Sequence, residues 1–300
     1  MKQKVFIHTN ERQWLGALVS AYSLKRNSKH AGAFDVEIIH VGQFPFLAAR
    51  EGQEFLRGGT PRVWRMADLQ SFTPLRFMPP ALMGHEGRCV VIDPDIFAIG
   101  DIYELLTRDM QGHGVMGRRR SDKAEKSSHI ATSVMLMDCA RLTHWQPERE
   151  FDELFRFERD YKDWIELRHE APQNVGIIEN EWNDFDTLTE RTKLLHNTKR
   201  RTQPWKTGLP VDFVPADKLR KYPLLSSLNR LRARLFGEYG LLGTYQRHPD
   251  PQQERSFFSL LKECLETGVV SESLVRDEMA KNHVRHDALK LVERTTRQAA

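Results

Sequence analysis

Cysteine is scarce in this chain: three in 300 residues, Cys89, Cys139 and Cys264, an odd number, each with an apolar neighbour. That argues against a disulfide framework or a cysteine-built metal site and fits buried thiols in a reducing compartment. Long apolar runs are lacking too. None approaches the ~20 residues a bilayer-spanning helix needs. Met1–Asn10 reads as a strand around Val5-Phe6-Ile7, not as a secretion signal, which needs a longer apolar stretch. Charge of one sign is also in short supply. The formal net charge of +4 accommodates a polyanionic ligand but is too small for a nucleic-acid partner. There is no internal repeat or low-complexity tract. The expected location is cytoplasmic.

What is present describes a globular protein with an adequate core, 40% hydrophobic and 29% charged. A strand at Lys4–His8 precedes a helical spacing through Trp14, Leu15, Leu18, Val19, Tyr22 and Leu24, and Asp35–Val41 reads as a second strand. Strand, helix, strand in that order begins a parallel sheet. Arg62-Val63-Trp64 reads as a further short strand, and Gly100-Asp101-Ile102 turns the chain into a helix at Tyr103–Leu106. Strands are expected at Gly114–Gly117 and Thr132–Met137, separated by a polar loop from Arg118 to Ser128. After Asp217 helical stripes dominate, with Leu224, Leu228, Leu231 and Leu235 on one and Phe257, Leu260, Leu261 and Leu265 on another. This places a boundary near Pro215, dividing the chain into residues 1–215 and 216–300.

One junction is richer in chemistry than the rest. Cys89-Val90-Val91-Ile92 is a continuous apolar tetrad, the mark of a strand buried on both faces, and it runs into Asp93-Pro94-Asp95. Two acids then emerge at the carboxyl end of a central strand, where open α/β sheets bind ligands. Ionised carboxylates must be hydrated, paired or metal-bound. A divalent cation that bridges to a diphosphate wants hard oxygen ligands, often completed by an imidazole. His196 follows Leu194-Leu195 at another strand end and is a candidate third ligand, although a lone histidine is more often a surface or capping residue. Lys199, Arg200, Arg201 and Lys206 lie within ten positions of it and suit phosphate oxygens. A solvated charged loop is the plainer reading for part of that cluster.

At these residues the chain resembles a known family, the glycogenin-like (family 8-type) group of GT-A glycosyltransferases. Thr9-Asn10 with Gly16-Ala17-Leu18-Val19 and Ser23-Leu24-Lys25 resembles its first strand, nucleotide loop and helix. Val91-Ile92-Asp93-Pro94-Asp95 with Gly100-Asp101-Ile102 resembles its metal motif, and Leu195-His196 through Pro204-Trp205 its late histidine and Pro-Trp. Ser133-Val134-Met135-Leu136 resembles the strand after its variable loop. The similarity covers about the first 215 residues, in the right order.

The resemblance implies an α/β, Rossmann-like, mostly parallel central sheet flanked by helices, followed here by a helical C-terminal extension. It implies transfer of a hexose from a nucleotide sugar, of the uridine diphosphate class, to an acceptor hydroxyl with retention of configuration. Asp93, Asp95 and His196 would hold manganese or magnesium. His8, Thr9, Asn10, Arg76, Ser133, Lys199, Arg201 and Lys206, with the two aspartates, would contact the donor. Asp163 and Glu170 stand near where the group places acids facing the donor sugar. Two departures stand out: Gln203 replaces the usual Lys before Pro-Trp, and Ala131-Thr132-Ser133 occupies the place of Asn-Ala-Gly. The acceptor is left open between a saccharide, a lipid-linked glycan and a protein.

Competing readings are a nucleotide-sugar-binding or scaffold protein without turnover, and an aspartyl phosphatase of the haloacid dehalogenase type. The latter expects its acids in the first strand and Thr or Val where Phe97 stands. The basic stretch Asn229–Leu235 carries leucines at helical spacing and could touch the inner face of an anionic membrane or a partner helix. A helix packed on the catalytic domain is the plainer reading. Tyr161 and Trp164 could stack on a sugar face, whereas Trp182 reads as core.

Overall fold

The computed structural model describes residues 3–122, 127–213 and 243–298. Eleven strands are formed among them: β1 (Gln3–Thr9), β2 (Asp35–His40), β3 (Glu54–Leu56), β4 (Pro61–Val63), β5 (Arg88–Ile92), β6 (Ile96–Ala98), β7 (Val115–Asp122), β8 (Ser127–Asp138), β9 (Val175–Ile178), β10 (Asp184–Phe185) and β11 (Leu194–His196). Six of them make the central sheet, in the order β2-β1-β5-β8-β7-β9. The pairs β1–β2, β1–β5 and β7–β9 are parallel, and only β8 runs against its neighbours. The architecture is therefore α/β with a mostly parallel central sheet, as expected. β3 and β4 pair only with each other, so the strand read at Arg62–Trp64 stays outside that sheet.

The sheet is buried on both faces. Val5 and Ile7, with Val90 and Ile92, join the cluster on one face; Phe6, Cys89 and Val91 join the cluster on the other. All seven have no exposed surface, and burying each Val, Ile or Phe contributes about 1.5–3 kcal/mol. This is why β5 reads as an unbroken apolar run.

The helix α1 (Trp14–Arg26) forms where the 3.6-residue spacing put it. Its buried face is partly polar. Ser20 Oγ donates to the Ile96 carbonyl at 2.6 Å, and Ser23 Oγ accepts from the Ala98 amide at 2.9 Å, which ties α1 to β6. Asp101 caps the helix Ile102–Leu106 by accepting from the Tyr103 amide.

One expectation is corrected. The polar loop from Arg118 to Ser128 is not a loop over its described residues. β7 and β8 continue through it, pairing Arg118 with Ala131, Arg119 with Ile130 and Arg120 with His129, after an irregularity between Gly117 and Arg118. Backbone pairing overrides side-chain polarity here, because strand residues facing solvent need not be apolar.

The chain divides into two compact units, residues 1–196 and 197–300. The second unit carries helices Pro251–Glu266, Glu272–Ala280 and Ala288–Gln298, with Trp205 stacked on Phe257 at 4.8 Å. The expected boundary at Pro215, the stripe Leu224–Leu235 and the basic stretch Asn229–Leu235 lie outside the described residues. No helix among the described residues is long and apolar enough to cross a membrane.

Candidate active site

Three short elements bring the candidate ligands together. β5 ends at Ile92, and a turn closed by the Ile96 amide on the Asp93 carbonyl reverses the chain into β6. Pro94 holds the second position of that turn, where its fixed φ is favoured. β11 pairs antiparallel with β6 and sets His196 opposite Ile96, the residue after Asp95. The result is a convergence: one ligand atom each from Asp93, Asp95 and His196 lie within 4.8 Å of one another. His196 Nε2 is 3.4 Å from Asp95 Oδ1 and 3.9 Å from Asp93 Oδ2.

The imidazole is oriented from behind. Asn183 Oδ1 lies 2.8 Å from His196 Nδ1, and Asn183 Nδ2 donates to Ser133 Oγ at 2.9 Å. With its amide nitrogen so committed, Asn183 offers its carbonyl oxygen to Nδ1–H. That tautomer leaves the Nε2 lone pair facing the two carboxylates. Three acceptors gathered around one point, with the far ring nitrogen fixed by a second residue, are the donor set and outer support that a hard divalent cation uses. The residues present fit such an ion.

Asp93 is the most constrained of the three. Arg76 grips it with a two-pronged contact, Nε to Oδ1 at 3.0 Å and Nη2 to Oδ2 at 2.5 Å, while Arg76 Nη1 donates to Thr132 Oγ1. His8, fully buried on β1 and next to the residue paired with Ile92, brings Nε2 to 2.9 Å from Asp93 Oδ1, a contact made off the ring N–H direction. Burial alone would raise the Asp93 carboxyl, but the Arg76 guanidinium, with His8 and His196, holds it well below the usual carboxylate range. Burial also lowers His8, against the pull of Asp93. A carboxylate has about four lone-pair positions, so Asp93 can face an ion while Arg76 holds it.

The turn itself is seated on α1. A Cβ on Gly16 would meet the Pro94 carbonyl oxygen at 2.8 Å, closer than real Cβ contacts come, so glycine lets the helix touch the Asp93–Asp95 turn.

The other expected residues are distributed as follows. Thr9 and Asn10 end β1 beside the triad's strand. The buried Asn10 side chain donates to the carbonyls of Asp68 and Leu69 and to Ser71 Oγ, shaping the 68–71 segment. Ser133 lies at the site, its carbonyl accepting from the Asp93 amide and its hydroxyl from Asn183. Glu170 accepts from Trp145 Nε1, contacts His144 Nε2 and accepts from Asn174 Nδ2, which together outweigh burial and lower its carboxyl. Asp163 is half-exposed, 3.4 Å from Arg168. Tyr161 and Trp164 are buried in the core, Trp164 stacked on Phe77 at 4.6 Å, and Trp182 is buried as well. Lys199, Arg201 and Lys206 belong to the second unit. There Lys206 is fully buried, with Nζ 2.6 Å from Asp212 Oδ2, and Tyr245 also donates to Asp212.

Sequence reasoning passed over Asn183, Thr132, Gly16, Ser20 and Ser23. Gly16 and Ser23 stood inside quoted motifs, but their roles are packing distances that spacing alone does not reveal.

No protein-family model matches the sequence, and no curated protein matches it. Among solved structures, the chain is similar to the glycosyltransferase GlyE of Streptococcus pneumoniae, at 15% identity and a TM-score of 0.49, covering 90% of this chain and 64% of that one. It is similar to the galactosyltransferase LgtC in complex with donor and acceptor sugar analogs, at 11% identity and a TM-score of 0.48, covering 67% of this chain and 89% of that one. It is also similar to mouse xyloside xylosyltransferase 1, at 13% identity and a TM-score of 0.43, covering 66% and 98%. This chain therefore spans less than two thirds of the pneumococcal protein's length.

Proposed function

We propose that this protein is a metal-dependent glycosyltransferase that moves a hexose from a uridine diphosphate sugar to an acceptor hydroxyl, with retention of configuration. The observation that carries the reading is the meeting of Asp93, Asp95 and His196 at the carboxyl edge of a mostly parallel sheet, beside the end of β1. Such an edge binds nucleotides in open α/β sheets. A divalent cation, manganese or magnesium, would supply positive charge to the diphosphate as it departs. Asp95 and His196 hold that ion, and Asp93 joins them from a carboxylate fixed by Arg76. Asn183 keeps the imidazole in its ligating tautomer. Thr9, Asn10 and the 68–71 segment border the nucleotide, and Ser133 sits behind the triad. Lys206, fully buried and paired with Asp212 within the second unit, is not assigned to the donor. Asp163 is assigned as the acid facing the donor sugar, whereas Glu170 is committed to its three partners.

The test is release of uridine diphosphate from a panel of uridine diphosphate hexoses, with manganese, magnesium or chelator. The expected result is metal-dependent release that Asp95→Asn lowers at least about a hundredfold, with the product anomer read by proton NMR. Binding of the panel without release in any metal would leave a sugar-nucleotide binder and overturn the enzymatic reading.

A further inference from the structure

β7 and β8 carry a basic surface next to the triad. β7 is parallel to β5, so Arg118–Arg120 leave the sheet at the same edge as Asp93. Arg118 and Arg120 are two apart on a strand and share a face. Both guanidiniums lie over one ring, Phe185, at 4.0 and 5.4 Å from its centroid. Phe185 in turn meets His196 edge-on at 5.6 Å. Two cations and a candidate metal ligand are thus assembled around a single phenyl ring.

That assembly has more positive charge than its surroundings offset. Arg118 donates from Nη1 to the Asn183 carbonyl, yet its Nε is buried without a hydrogen-bond partner. Burial and the neighbouring Arg120 both disfavour its charge, while Asp184 and Glu181 favour it. Those two acids are shared: Asp184 accepts from Thr192 Oγ1, and Glu181 is paired with Arg191. Arg120 is exposed and forms no ion pair among the described residues. Two planar forks of donors side by side match an oxyanion with several oxygens and up to two charges, which is a phosphate.

We propose that Arg118 and Arg120, fixed on Phe185, form an anion subsite that takes a phosphate group carried by the acceptor. The assignment to the acceptor rests on the function proposed above and on the strand order. β1, with Thr9 and Asn10, flanks β5 on one side; β7 lies two strands away on the other, about 10 Å at the usual strand spacing. A donor that spans β1 and β5 places its diphosphate at the triad and leaves the β7 side to the incoming partner. Phosphate there has two chemical sources, a soluble sugar phosphate or the diphosphate of a lipid-linked glycan.

The test is calorimetric binding to the full chain saturated with manganese and uridine diphosphate, so that the donor site is filled. The probes are glucose 6-phosphate, a polyprenyl diphosphate glucose in detergent micelles, and glucose with matching empty micelles. Binding of either phosphate probe above its neutral control, weakened at least about tenfold by Arg120→Ala and left alone by Arg119→Ala on the opposite face, supports the subsite. Which probe binds tells the source. Equal binding of phosphate and neutral probes refutes it, as does equal weakening by Arg119→Ala and Arg120→Ala. If uridine diphosphate sugars are never turned over but the phosphate probe binds and responds to Arg120→Ala, the anion subsite stands and the transferase reading falls.

Discussion

Replacing Arg76 by Met is the perturbation with the largest consequence. The guanidinium and the Asp93 carboxylate are each over nine-tenths buried, with side-chain exposures of 9% and 8%. Arg76→Met keeps much of the volume but leaves the Asp93 carboxylate buried without its guanidinium, beside His8 and His196. Breaking a buried pair by removing one partner costs about 3–5 kcal/mol. For a unit of this size each kcal/mol lowers the melting temperature by about 2–4 °C. Differential scanning calorimetry of the full chain in chelator should therefore find the transition of the unit that holds this pair lower by roughly 6–20 °C. Manganese should then raise the variant's transition more than the native protein's, because an ion at the triad restores positive charge beside the same carboxylate. Adding Asp93→Leu to Arg76→Met should recover much of the loss in chelator, since the uncompensated charge is gone. A variant that melts within about 2 °C of the native protein in chelator would show that the pair does not carry the site's electrostatics. An equal manganese response in both proteins would show that the ion does not reach Asp93.

Asn183→Leu removes the group that fixes the His196 tautomer, so manganese affinity measured by electron paramagnetic resonance should fall about 10- to 100-fold; unchanged affinity would remove Asn183 from the site. Gly16→Ala pushes a methyl against the Pro94 carbonyl, and metal-dependent donor turnover should drop about tenfold or more through displacement of the Asp93–Asp95 turn. A fully active Gly16→Ala protein would show that the turn has slack. Glu170→Gln tests a pH dependence. The native carboxyl is depressed, so its stabilisation is present above the unfolded value of about 4.3 and is lost as pH falls through the lower folded value. The native-minus-variant difference in melting temperature should shrink toward zero as the pH falls from about 5 to below 4. A difference that grows on acidification would reverse the assigned sign.

Much of the fold was legible because burial leaves a strong pattern. Val5-Phe6-Ile7 and Cys89–Ile92 are strands whose two buried faces force continuous apolar character, and α1 shows its 3.6-residue spacing. The acids at the end of β5 were legible for a related reason, since charge directly after such a run needs compensation. His196 was less so, being one histidine of 12, and it was placed by its strand-end context and the family resemblance. The polar stretch after Gly117 misled because strand pairing is made by backbone groups and leaves outward side chains free to be charged. The roles of Asn183, Thr132 and Gly16 could not be read. Each acts through a contact between segments far apart in the chain, with distances that depend on register and seating.

The imidazole of His196 closes the last strand of the first unit, so the entire candidate coordination set comes from one packed body. If that set holds an ion, as the proposed function requires, ion uptake and the melting of that body form a single linked equilibrium. Under the proposed function each tenfold rise in free ion above the dissociation constant would add about 1.4 kcal/mol to its resistance to unfolding, so metal starvation would soften the protein as well as idle it.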